Sequence, residues 1–118
     1  CFYCAKSLGR DSAVDHLVPW SRYPVDLAHN FVLADARCNA GKSDFLPDVP
    51  FLERWVRRND EHRATLAKRF EEIHVPHDLA ASLQIATWAY EQVERSGGRV
   101  WALDGKYVPL GTGWRGVL

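Results

Sequence analysis

The chain lacks an excess of charge of either sign. Its 15 Lys and Arg residues balance 15 Asp and Glu residues, which gives a formal net charge of zero. A protein without a global positive field must hold a polyanion by a local patch. The balance therefore excludes a histone-like or polybasic binder, but it leaves open an enzyme that acts on nucleic acid.

Long hydrophobic runs and methionine are also absent. Because the apolar runs are only a few residues long, we expect no membrane-spanning helix, no membrane partner and a cytoplasmic protein. A chain that has no Met and starts at Cys1 is expected to be a fragment, with targeting supplied by further domains, by protein partners or by formation of a homo-oligomer. Apolar residues still make up 47% of the chain, enough for the core of one compact domain.

Cysteine is scarce, and three cysteines are too few for a disulfide scaffold. Cys1 and Cys4 form a CxxC pair that can bind one side of a zinc ion, and Cys38 is a third thiolate ligand. Asp35 stands where a second CxxC would place a cysteine, and Asp is a rarer zinc ligand. We therefore expect a structural Zn²⁺ site. The alternatives are a Cys1–Cys4 disulfide or free thiols remaining from a lost zinc site, and for Asp35 a simple role as a helix cap.

The first third of the chain predicts the order strand, loop, strand, helix. Residues 13–18 and 30–34 are short apolar segments separated by a loop rich in Pro, Ser and Asp. Residues 36–42 are predicted to form a short helix, because Asp35 lies at the position of an N-cap.

The remainder predicts two antiparallel helices and a hairpin. Apolar residues recur at helical period over residues 51–73, and Asp78 can cap a second helix that ends near Gly97. Asp104 and Gly105 are typical of a type I′ turn, here between strands 100–103 and 106–108. The fold class is therefore α+β. We expect residues 1–48 to form a core, on which residues 49–118 pack as part of the same compact unit.

Several motifs in residues 1–44, taken in order, resemble the HNH endonuclease family, whose fold is the ββα-metal or His-Me finger. The resemblance is carried by the leading CxxC, the Asp15-His16-Leu-Val-Pro strand, Asn30 before an apolar strand, and Cys38-Asn39-x-x-Lys42-Ser on the helix. It implies a ββα-metal core and an activity that hydrolyses DNA phosphodiester bonds.

The resemblance also implies a role for each matched residue. His16 corresponds to the general base, and Asp15 and Asn39 correspond to the ligands of a catalytic divalent cation. Asn30 corresponds to a residue that orients His16, by a hydrogen bond or by shaping the loop. Asn39 replaces a His found in many members, so this is a His-Asn-Asn variant whose oxygen ligands favour Mg²⁺ or Mn²⁺.

Two features of the pattern need structural explanation. Asp15 and His16 are adjacent, so on a regular strand their side chains point to opposite faces, and both reach one metal only if the strand bends or ends there. Lys42, Arg37 and Arg22 are candidate contacts to the substrate phosphate, with a solvated surface charge as the alternative for each.

Two function classes follow from these motifs. The first is a metal-dependent HNH endonuclease acting on DNA with one cation and a histidine base, in a setting such as restriction, anti-phage defence or a toxin. The second is a catalytically inactive, zinc-stabilised module that binds nucleic acid or protein. The joint presence of Asp15, His16, Asn30 and Asn39 favours the enzyme, because zinc binding alone does not need them.

Overall fold

The computed structural model describes all 118 residues, and it begins with the predicted strand, loop, strand and helix. The two strands pair antiparallel, and a single turn of 3₁₀-helix at Ala28–Asn30 leads into the second. The elements are β1 (Ser12–His16), β2 (Phe31–Asp35) and α1 (Ala36–Lys42). The predicted α+β class and the ββα order are confirmed.

The first strand ends two residues earlier than predicted, at His16, because a side chain replaces the partner strand beyond that point. The Asn30 amide accepts a hydrogen bond from Val18 N at 2.8 Å and donates one to Val18 O at 2.9 Å. Both backbone polar groups of Val18 are therefore hydrogen-bonded, as they would be in a β-sheet, although Val18 lies beyond the end of β1.

Residues 49–96 form three helices, where two were predicted. They are α2 (Val49–Glu61), α3 (Arg63–Glu72) and α4 (Leu79–Ser96). The expected first helix is interrupted at His62, which has φ −112° and ψ 24°. Only the part before the break has fully buried side chains, among them Leu52 and Trp55, and α3 has none. None of the four helices is both long and apolar enough to cross a membrane.

The second helix prediction and the hairpin turn are confirmed. Asp78 caps α4 by accepting from Ala81 N at 2.9 Å, and α4 ends at Gly97 with φ +64°. Asp104 and Gly105 both have positive φ, 45° and 71°, as a type I′ turn requires. The strand before the turn, β3 (Arg99–Trp101), is one residue shorter than predicted, and the strand after it, β4 (Tyr107–Pro109), is shifted by one residue. A final 3₁₀ segment, Thr112–Gly116, follows.

A single hydrophobic core joins the ββα element to the later helices and hairpin. Its 17 buried residues include Val32 and Ala34 from β2 and, from the later elements, Trp55, Tyr90 and Trp101. Backbone bonds reinforce this packing, since Trp101 N donates to Leu46 O at 2.9 Å. The inner face of the β1–β2 hairpin is therefore covered by residues far along the chain.

Candidate active site and cysteine cluster

The three cysteines and Asp35 come together as the sequence analysis expects. Their potential ligand atoms all lie within 4.8 Å of one another. Cys1 and Cys4 lie in the loop before β1, Asp35 ends β2, and Cys38 lies in the first turn of α1. All three thiols are free, so the alternative of a Cys1–Cys4 disulfide is wrong. We call these four residues the cysteine cluster, and they could hold a metal ion.

Asp35 caps α1 with one oxygen and places the other beside the thiols. Its Oδ1 caps α1 by accepting from Cys38 N at 2.7 Å, and its Oδ2 accepts from the Cys4 thiol at 3.0 Å. The Cys38 N–H, followed by the Cys4 thiol, lowers the pKa of Asp35. Capping fixes the carboxylate beside the thiols, so the two interpretations do not compete.

The cysteine cluster has the chemistry of a soft-metal site. Burial raises the pKa of the Cys38 thiol to about 12, and the neighbouring Cys4 and Asp35 add to this effect. A bound cation reverses that trend, because it stabilises thiolates directly. Three sulfur ligands and one carboxylate oxygen fit a tetrahedral zinc site.

His16 lies at the end of β1, and its imidazole is hydrogen-bonded to the carboxylate of Asp26. Its Nε2 is 2.8 Å from Asp26 Oδ1, and its ring packs edge-on against Phe31, its cross-strand partner, with centroids 5.0 Å apart. A carboxylate only accepts hydrogen bonds, so Nε2 must carry the proton that the two atoms share. The lone pair of neutral His16 is then on Nδ1, which has no hydrogen-bond partner in the protein.

Asp15 is buried in β1, and the strand ends at His16, which is the condition under which both side chains can serve one metal site. The outer face carries exposed Val14 and Leu33, whereas Asp15 is 8% exposed. Its Oδ2 accepts from the Tyr3 hydroxyl at 2.6 Å and lies 3.3 Å from Lys42 Nζ. No protein group donates to its Oδ1, so one hard oxygen is left free.

The two asparagines differ in what their side chains do. Asn30 bonds to both backbone groups of Val18 and not to His16, so of its two expected roles the structure supports shaping of the loop. Asn39 is half-buried on α1, one turn before Lys42, and its amide makes no hydrogen bond within the protein. Its amide oxygen is therefore available to a ligand.

The segment that contains these residues matches a known protein family. The family model described as HNH endonuclease matches residues 1–48. The match supports assignment of these 48 residues, which we call the HNH segment, to the HNH endonuclease family. Searches among curated proteins and among solved structures returned no match. The HNH segment thus contains both the cysteine cluster and His16, while residues 49–118 lie outside the match.

Lys42 of the HNH segment is placed differently from both expectations. Its side chain is 0% exposed, and its Nζ donates to His16 O at 2.8 Å beside the Asp15 carboxylate. Burial lowers the pKa of Lys42, while Asp15 acts in the opposite direction. A solvated surface charge is therefore wrong, and the ammonium is committed to internal partners instead of facing a phosphate.

The two arginine candidates remain at the surface of the HNH segment. Arg37 is exposed at the start of α1, next to the cysteine cluster. Arg22 is half-buried in the loop after β1, and its Nε is enclosed without a partner. Arg22 is also close enough to Lys42 to lower the pKa of that residue.

Sequence reasoning missed three residues that hold the site. Tyr3 and Asp26 bond to Asp15 and His16, and Arg58 of α2 donates to Phe31 O at 2.9 Å and to the 3₁₀ turn before β2. Burial lowers the pKa of Arg58 to about 10. The only signal for Tyr3 is its place inside the CxxC, and no sequence pattern distinguishes Asp26 or Arg58.

Proposed function

We propose that this chain is a metal-dependent endonuclease domain that hydrolyses DNA phosphodiester bonds, with His16 as general base. The observation that carries the proposal is the His16–Asp26 pair at the end of β1, with Nδ1 left free, inside a segment that matches the HNH family. Phosphodiester hydrolysis needs a base for the attacking water and positive charge for the phosphate.

His16 supplies the base through Nδ1. Asp26 keeps the proton on Nε2, so the Nδ1 lone pair takes a proton from the attacking water. The ring becomes an imidazolium in that step, and the Asp26 carboxylate stabilises the new charge. Asp26 is thus a positioning residue, and His16 is the group that touches the reacting water.

Asp15 and Asn39 are the residues that would hold the catalytic cation. The free Oδ1 of Asp15 and the unbonded amide of Asn39 are hard oxygen donors, which fit Mg²⁺ or Mn²⁺ better than a soft metal. When bound, such a cation supplies positive charge to the scissile phosphate and to the departing oxygen. Asn30 contributes indirectly, because it holds the loop that carries Asp26.

The cysteine cluster is proposed to hold structural Zn²⁺, separate from the reaction. Three thiols and a capped carboxylate within 4.8 Å support this assignment. A metal here crosslinks the N-terminal loop to α1, which stabilises a hairpin too small to fold alone.

DNA is the proposed partner, held by local contacts from Arg22 and Arg37. A net charge of zero predicts weak binding by this chain alone. Targeting would then come from further domains, from protein partners or from a homo-oligomer. We place the activity in the cytoplasm, in a setting such as restriction or anti-phage defence.

Plasmid nicking tests the proposal. The parent protein is incubated with supercoiled plasmid in Mg²⁺ or Mn²⁺ and compared with His16→Ala, with His62→Ala as the matched control at an exposed histidine. We expect His16→Ala to lose about 10²-fold or more in cleavage rate, with an unchanged circular dichroism spectrum, and His62→Ala to cleave like the parent. Equal cleavage by His16→Ala and the parent would remove His16 from the mechanism.

A second candidate function is a zinc-stabilised binding module without catalysis. The observation in its favour is that Tyr3 and Lys42 already engage the Asp15 carboxylate, as in a purely structural network. This candidate predicts that the parent binds DNA or a protein partner but does not nick plasmid in either metal. Nicking that depends on His16 would eliminate it.

A further inference from the structure

The CxxC segment carries a buried residue that connects the cysteine cluster to the catalytic side of the hairpin. Tyr3 lies between Cys1 and Cys4 in sequence and is 2% exposed. Its ring is enclosed by Phe2, Phe51 and Trp101, with centroid distances of 5.1, 5.4 and 5.1 Å. Packing alone explains the burial of the Tyr3 ring, but it does not explain the direction of the Tyr3 hydroxyl.

The Tyr3 hydroxyl selects one oxygen of Asp15. It donates to Oδ2 at 2.6 Å, the same oxygen that lies 3.3 Å from Lys42 Nζ. Both donors on Oδ2 leave Oδ1 free for another positive group. Without the hydroxyl, the carboxylate is free to turn and to offer both oxygens to the Lys42 ammonium, which competes with any second cation.

The position of Tyr3 depends on the segment that the cysteine cluster anchors. A backbone bond from Phe2 N to Leu33 O at 2.8 Å and a bond from the Arg54 guanidinium to Tyr3 O at 3.1 Å hold it from the sides. Two further attachments run through sulfur, because Cys1 Sγ accepts from Asp35 N and Cys4 Sγ donates to the Asp35 carboxylate. A metal bound to both thiolates would turn these weak contacts into a crosslink on each side of Tyr3.

We propose that Tyr3 is a positioning residue for Asp15, and that through Tyr3 the metal in the cysteine cluster sets the affinity of the catalytic site for its cation. The inference rests on the proposed function, because it assumes that Asp15 is a cation ligand. It adds a regulatory consequence, since loss of metal from the cysteine cluster weakens the catalytic site even while the fold persists.

The first test measures cation binding directly. Zinc-loaded protein is titrated with Mn²⁺, free Mn²⁺ is followed by electron paramagnetic resonance, and Asp15→Asn defines the component that belongs to the catalytic site. We expect Tyr3→Phe to bind Mn²⁺ about tenfold more weakly than the parent, because a hydrogen bond to a charged group is lost. The Mg²⁺ concentration that half-saturates cleavage should rise by the same factor.

Tyr107→Phe is the matched control for that test. Tyr107 is half-buried, and its hydroxyl also donates to the HNH segment, to Gly41 O at 2.7 Å. It makes no hydrogen bond to Asp15. We expect Tyr107→Phe to bind Mn²⁺ like the parent. Equal Mn²⁺ affinity in Tyr3→Phe and the parent, or an equal loss in both Phe variants, would overturn the positioning role.

The second test asks whether the cysteine cluster acts through Tyr3. Cys4→Ser is made in the parent and in Tyr3→Phe, to form a double-mutant cycle on Mn²⁺ affinity. We expect Cys4→Ser to weaken binding severalfold in the parent and to add little in Tyr3→Phe. An equal loss in both backgrounds would overturn the coupling. If circular dichroism shows that Cys4→Ser does not fold, Asp35→Asn replaces it, because its amide oxygen can still cap α1.

The same titrations separate this inference from the proposed function. A parent protein with no Asp15-dependent Mn²⁺ binding would contradict both. A parent that binds Mn²⁺ through Asp15 and nicks plasmid, but is unaffected by Tyr3→Phe, would contradict the inference alone.

Discussion

The cysteine cluster and the candidate catalytic residues lie on the same ββα element, but they are assembled differently. The cysteine cluster consists of two pairs with short-range spacing, Cys1–Cys4 and Asp35–Cys38, and the fold brings their ligand atoms within 4.8 Å of one another. Asp15 and His16 are adjacent in sequence, yet their side chains have no partner in common.

The difference shows that two residues adjacent in sequence can have separate hydrogen-bond partners, whereas residues far apart in sequence can share one site. Within each pair of the cysteine cluster the spacing is local, although the two pairs lie 31 residues apart along the chain. The catalytic residues depend on partners brought in from other segments, namely Tyr3, Asp26 and Lys42. They should therefore be sensitive to substitutions that never touch a substrate.

The largest expected effect comes from removing Asp15, which serves both as a proposed cation ligand and as the partner of Lys42. Asp15→Ala leaves a buried ammonium without its counter-ion and should cost about 3–5 kcal/mol in the free energy of unfolding, measured by urea denaturation. Plasmid nicking should be lost as well. Asp15→Ala combined with Lys42→Met should recover most of the stability and none of the nicking. A double variant as unstable as Asp15→Ala would show that the ion pair is not the cause.

Metal removal at the cysteine cluster is expected to have the next largest effect on stability. Zinc chelation, or Cys4→Ser, should lower the thermal midpoint by about 5 °C or more, the shift that roughly 1 kcal/mol produces in a domain of this size. Chelator added to Cys4→Ser should cause no further shift. Calorimetry, together with metal analysis, measures the shift. If chelation leaves the thermal midpoint of the parent unchanged, the cysteine cluster holds no structural metal.

Asp26→Asn should produce a smaller loss that is confined to catalysis. The amide can still contact the His16 ring, but it lacks the charge that stabilises the imidazolium, so kcat should fall about tenfold or more with little change in KM. Asp11→Asn, an exposed position at the start of the hairpin, is the matched control and should behave like the parent. Steady-state nicking kinetics give both constants. A change in KM alone would place Asp26 in DNA binding instead.

The smallest expected effect concerns His29, which is 2% exposed in the turn that leads into β2. Burial, followed by the charges of His77 and Arg58, lowers the pKa of His29 in the folded state, with Asp78 acting in the opposite direction. The unfolded chain therefore binds the proton at a higher pH than the folded chain. The contribution of neutral His29 to stability is complete above the unfolded pKa of about 6.5 and is lost as the pH falls.

Urea denaturation between about pH 7 and pH 5 measures that effect. The free energy of unfolding should fall more steeply with decreasing pH in the parent than in His29→Gln. His62→Gln, at an exposed histidine, should follow the parent. Parallel pH profiles for the parent and His29→Gln would contradict the assignment.

Local rules predicted much of the HNH segment and of the hairpin. Asp35 as a helix cap, Gly97 as a helix end and the Asp104–Gly105 turn each depend on a few neighbouring residues, and each is confirmed. The break at His62 was missed because residues 51–73 keep a helical period throughout. Periodicity records which residues are apolar, but not whether one straight helix can bring them all to the core.

The candidate site shows the same division. The sequence was sufficient to place Asp15, His16, Asn30 and Asn39 on a ββα element and to gather the cysteine cluster, because those positions follow from strand alternation, helix capping and short-range spacing. Only the tertiary structure decided that Lys42 is buried against Asp15, and that Tyr3 and Asp26 bond to the two candidate side chains, Asp15 and His16. The physical reason is that burial and ion pairing depend on which distant segments cover a residue, and a charge exposed on an isolated helix becomes an internal partner once the core closes over it.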